Sequence, residues 1–227
     1  MLKGIKTASR LVDFFDAQTL HLAGEQPIEQ IKLLKAQFKL RIDFVPFRFT
    51  PLMKKRLTRR ASFMLQASLR LFPELRGKTI TVGYTRAHLG SALIPRDQQA
   101  ELTIRLKVRK LSYNTIGHEL THLVQGLSHL NSPTTTERIP SGEKQCDIWT
   151  LARSELFCDE ASTYLKLPPT IRTNWPSYAQ SIRALCIAAI EKRTTHRLYI
   201  SWLEEQIHQL AHQDLKKGNS VQLQLPF

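Results

Sequence analysis

Residues 113–129 read YNTIGHELTHLVQGLSH, and within them His118, Glu119 and His122 stand in the order H-E-x-x-H. On a helix, positions i and i+4 share one face and lie one turn apart. Both imidazoles can therefore reach a single ion, at the roughly 2.0–2.1 Å of a zinc–nitrogen bond. Glu119 lies beside that pair, placed to accept a proton from water activated by the metal rather than to bind the metal. A second i, i+4 pair, His208 and His212 in HQLAH, has no glutamate and reads as structural.

Two histidines leave a tetrahedral site one protein ligand short. His129 is one candidate, eleven positions after His118. The run H-E-x-x-H-x-x-G-x-x-H needs its last histidine at ten and glycine at seven, and here Gln125 holds the glycine slot. The favoured candidate is Glu155 in ELFCD (155–159), which would complete a His₂Glu set with the fourth position open. Asp159, four residues on, would then accept the spare N–H of a ligand histidine and fix its tautomer.

These residues need helices and a sheet to hold them. Residues 7–20 and 27–38 read as amphipathic helices. FKLRIDFVPFRF (38–49) alternates and reads as a strand, with Pro46 confining it to an edge. Thr50-Pro51 starts a helix running to about Phe72. Strands follow at 78–85 and 100–108, and the motif helix begins near Ser112. A helix over 144–166 carries Glu155 and Asp159, and two more fill 176–193 and 196–216. Strands mixed with helices, then helices alone, predict an α+β fold with a small, mostly antiparallel sheet. A single domain is expected over 1–227: an N-terminal helix and strand part (1–75), a catalytic core (76–166) and a helical extension (167–227).

The totals narrow the setting. Thirty-three Lys and Arg against 19 Asp and Glu give a net charge of +14. Such a field attracts polyanions, nucleic acid among them. Lys55, Arg56, Arg59 and Arg60 form one basic cluster, and Arg105, Lys107 and Arg109 a second. Neither is interleaved with aromatic residues, so base stacking is not indicated. No apolar run reaches membrane-span length. The start lacks an apolar leader segment, and three cysteines are too few for a disulfide framework. A reducing, cytoplasmic setting is therefore expected.

TIGHELTHLV (115–124) together with ELFCD (155–159) resembles the gluzincins, zinc peptidases with H-E-x-x-H on one helix and a glutamate on a second. The likeness covers about 55 residues. It implies a zincin-like fold, with the strand before the motif helix (100–108) as a sheet edge that pairs with extended substrate, and zinc-dependent hydrolysis of a protein or peptide. In it, His118, His122 and Glu155 are ligands, Glu119 the base and Asp159 the partner of a ligand histidine. VGYTRAHLGSA (82–92) bears a weaker likeness to SprT-like and minimal zinc peptidases, several of which act on DNA-bound proteins; the chain differs in lacking a cysteine ribbon. The contrasting expectation is a nucleic-acid- or partner-binding protein with a structural or vestigial zinc site.

Overall fold

In a computed structural model, the residues described are 47–95, 97, 99–131 and 138–222, with side chains to 212. The chain divides into two compact units, Met1–Val45 and Pro46–Phe227. The first unit, with the helices expected at 7–20 and 27–38 and the start of the strand expected at 38–49, lies outside the described residues. The second is α+β.

Its sheet has four strands: β1 (Phe47–Phe49), β2 (Ile80–Tyr84), β3 (Gly90–Leu93) and β4 (Leu102–Leu106), in the order β1-β2-β4-β3. β1 pairs with β2 and β2 with β4 in parallel; β3 and β4 are antiparallel. The sheet is therefore mixed, not mostly antiparallel. Parallel neighbours need a crossover, and residues 50–79 supply the first with α1 (Pro51–Lys54) and α2 (Arg59–Arg70). β4 inserts between β2 and β3, so the expectation that it forms the edge is corrected: β3 does. The short β3, rich in small residues, was not expected as a strand.

The helix expected over 51–72 is two. Thr50 caps the first turn through Met53 N, and Thr58 opens the next helix through Ala61 N. Each threonine offers its hydroxyl to an N–H that a helix start leaves unpaired.

The motif helix, α3 (Tyr113–Asn131), is buried along residues 114–127. It packs on the sheet through Ile116, Leu120, Leu123 and Leu127, in one apolar cluster with Ile80, Val82, Ile104 and Leu106. α4 (Glu143–Arg153) crosses it closely at Gly117. A Cβ there would stand 2.7 Å from Phe157 and 2.8 Å from Thr150, so any larger side chain would push α4 away. α4 turns its other side, Ile148 and Leu151, to a second cluster. That cluster also takes in α5 (Pro169–Thr173), α6 (Trp175–Lys192) and α7 (Tyr199–Gln222).

The start of α3 is tied down three ways. Ser112 Oγ accepts from Thr115 N at 3.0 Å. Asp159 accepts from Tyr113 N at 2.7 Å and Asn114 N at 2.9 Å. Asn114 Nδ2 donates to Phe157 O. A carboxylate on unpaired first-turn N–H groups meets the positive end of the helix dipole. Asp159→Ala is expected to cost about 1–2 kcal/mol, read as a lower midpoint in urea unfolding. An unchanged midpoint would show that Ser112 suffices.

Candidate metal centre

α3 places His118 and His122 one turn apart, with ring centroids 4.9 Å apart and both side chains buried. Their outer nitrogens are held from behind. His118 Nδ1 lies 2.9 Å from Asp147 Oδ1. Asp147 is itself fixed, because its Oδ2 accepts from Tyr164 N and Leu165 N. His122 Nδ1 lies 3.0 Å from Gln125 Oε1. Gln125 can offer only its oxygen there, since its Nε2 donates to Pro140 O and Gly142 O. Both Nδ1 atoms thus carry their protons towards acceptors, which leaves the Nε2 lone pairs facing inward.

Those lone pairs meet one oxygen. Glu143 Oε2 is 2.9 Å from His118 Nε2 and 3.1 Å from His122 Nε2. With both imidazoles neutral, three acceptor atoms converge with no donor among them. A proton or a cation is needed to hold them together. Burial pulls the His118 pKa down, but the Asp147 hydrogen bond and the charges of Asp147 and Glu119, with the Glu143 hydrogen bond, leave it raised. Burial pushes the Glu143 carboxyl up, but hydrogen bonds and charge from His118 and His122 hold it below its ordinary value. Two imidazoles and a carboxylate are a zinc-type donor set. The Glu143 side chain is 47% exposed, so the site is open to solvent on that side.

Glu143 and Asp147 are the first acidic i, i+4 pair of α4. The sequence holds a second, Glu155 and Asp159, twelve positions on. The helix expected to carry that second pair is shorter than expected. α4 ends at Arg153, and Ser154 is extended (φ −160°, ψ 148°). Glu155 then falls in an exposed 3-10 turn (Glu155–Cys158), and the hydrogen bonds of His118 and His122 go to other residues. Asp159 caps α3 instead of holding a histidine. His129, on the exposed far end of α3, meets Ser141 Oγ at 2.9 Å.

Cys146 is the other neighbour. His118, His122 and Cys146 lie close enough together that they could hold a metal ion. Cys146 Sγ, however, stands 3.1 Å from His122 Nδ1, the nitrogen that does not face Glu143. Burial pushes its thiol far up, with Glu143, Asp147 and Glu119 adding to the shift. Both Nε2 atoms face Glu143, which makes it a second candidate for the third donor.

Glu119 is buried, and burial raises its carboxyl to about 7; the His118 charge opposes the shift and Glu143 adds to it. It fills the space beside β3: a Cβ on Gly90 would lie 2.4 Å from Glu119 Oε1. The Tyr164 ring stacks on His118, centroids 5.5 Å apart, and is 46% exposed. His196 is exposed in the turn before α7.

No family model, curated protein or solved structure matches the chain. The functional reading rests on the residues alone.

Proposed function

We propose that the chain is a zinc-dependent endopeptidase of gluzincin type, with a zincin-like fold. His118, His122 and Glu143 would hold the metal. The observation that carries this reading is the convergence of both Nε2 atoms on one Glu143 oxygen, with Asp147 and Gln125 setting the tautomers behind them. Bound zinc supplies Lewis acidity, polarising a carbonyl and making water a better nucleophile at neutral pH.

The chain's own residues do the rest. Glu119 accepts the proton of the attacking water and passes it to the leaving amine, a role suited to a carboxyl with a pKa near the working pH. Tyr164, beside His118 and with its phenol pKa raised by burial and by the charges of Glu143, Glu119 and Asp147, keeps its O–H as a donor for developing negative charge. β3 ends the sheet next to Glu119, so an extended peptide added to its outer edge would run past the base. This moves the substrate strand from β4, where sequence placed it, to β3.

The test is cleavage of an unfolded protein such as casein by the full chain, followed by mass spectrometry. Cleavage that stops with chelator and returns with one equivalent of zinc is the expected result. One tightly bound zinc with casein intact would instead favour a structural metal in a binding protein.

A further inference from the structure

Two of the basic stretches of the second unit lie about the end of the sheet where β1, β2 and β4 finish. Residues 50–72 contain six Lys and Arg and no acid; residues 102–118 contain four and no acid. The fold brings these stretches together. Arg105 lies on the sheet face away from α3, its side chain 3.2 Å from where a Cβ on Gly83 would stand, with Thr50 at the same spot. The Arg56 guanidinium lies over the Tyr84 ring at 4.5 Å. Lys107 N donates to Leu89 O, joining the end of β4 to the turn that carries Arg86. The charge of Arg60 is felt at Tyr113, the first residue of α3.

Among the described residues none of Arg56, Arg59, Arg60, Arg105, Lys107 and Arg109 has a carboxylate within ion-pair distance. Elsewhere Arg153 pairs with Glu74, and Lys144 and Lys166 with Glu204. Arg59 and Arg60 also occupy the first turn of α2, where the helix dipole disfavours cations and where no acid offsets them. Folding does not account for that placement, while a polyanion would.

We infer that this end of the sheet binds the phosphate backbone of nucleic acid without reading its sequence. Arginine forks outnumber lysines on it, and they match phosphate oxygens two at a time. Tyr84, the aromatic ring at its centre, is covered by Arg56 and so is closed to base stacking. A lipid surface fits less well, because the apolar face of α2 (Ala61, Met64, Leu65) is already buried and has nothing to insert. The site is separate from the metal centre and does not depend on peptidase activity.

The experiment is fluorescence anisotropy of labelled duplex DNA, single-stranded DNA and RNA with the full chain, with and without chelator, over 50–300 mM salt. Binding to at least one of them, steep in salt and unchanged by chelator, is expected. Arg59→Ala/Arg60→Ala/Arg105→Ala/Arg109→Ala should weaken it at least about tenfold and lower the log–log salt slope on duplex by about 3–4. Each half of that set should give part of the loss. Arg76→Ala/Arg197→Ala, which removes the same kind of charge away from this end, should leave it. No binding at 50 mM salt, an equal loss from the control pair, or tighter binding to phosphatidylserine vesicles than to any nucleic acid would overturn the inference.

Discussion

Glu143→Ala will leave the protein without stoichiometric zinc, whereas Glu155→Ala and His129→Ala will retain it. The difference follows from where the three side chains stand. Glu143 Oε2 is within 3.1 Å of both Nε2 atoms, while Glu155 is exposed in a turn and His129 faces Ser141. Under the proposed ligand set, removing Glu143 takes away one donor and the only charge on the set. The affinity loss should exceed the 10–100-fold typical of residues that merely orient a ligand. Asp147→Ala and Gln125→Leu should fall within that smaller range, since each frees one imidazole to adopt the other tautomer. Cys146→Ser should leave zinc in place, because its sulfur touches the outer nitrogen of His122. The measurement is bound zinc per chain after dialysis, with affinity by competition against a chromophoric chelator. Zinc kept by Glu143→Ala and lost from Glu155→Ala would sink the ligand assignment.

The motif helix was legible because H-E-x-x-H needs only the helical period. The proposed third donor, Glu143, was not, for a reason visible in the residues. Glu143-x-x-x-Asp147 and Glu155-x-x-x-Asp159 are the same pattern, and an unbroken helix through 144–166 makes the second pair look central. Ser154 breaks that helix. A helix start expected at 144 also puts Glu143 on the loop side of the boundary, outside the helical pattern. One cue was available: an acid just after a glycine at the head of a helix is where the dipole favours it. The mixed sheet was harder to foresee, since β3 carries Gly90, Ser91 and Ala92 and so lacks the β-branched signature of a strand. Its glycine is explained by packing, because Glu119 occupies the space a side chain at Gly90 would need.

That crowding bears on the second large effect, Glu119→Gln. Under the peptidase reading, the substitution removes the proton acceptor and should lower kcat by at least about 10²–10⁴-fold, with zinc still bound. The chelated protein should respond in the opposite sense and become more stable. In the unfolded chain the Glu119 carboxyl titrates near 4.5, and in the fold at about 7. A raised carboxyl pKa means that the fold binds the proton more tightly than the unfolded chain. Stability therefore falls as pH rises through this interval, and the loss is complete above it. For a group this buried the loss is on the order of 3 kcal/mol. Glutamine carries no charge at any of these pH values, so its advantage should be absent at pH 4, grow between pH 4.5 and 7, and level off by pH 8. Zinc opposes it, because the cation stabilises a nearby carboxylate. Thermal melts of wild type and Glu119→Gln, with chelator and with zinc, at pH 5 and pH 8 separate these effects. A wild type as stable as the variant at pH 8 under chelation would mean that Glu119 ionises there without cost, and that its burial does not prepare it for proton transfer.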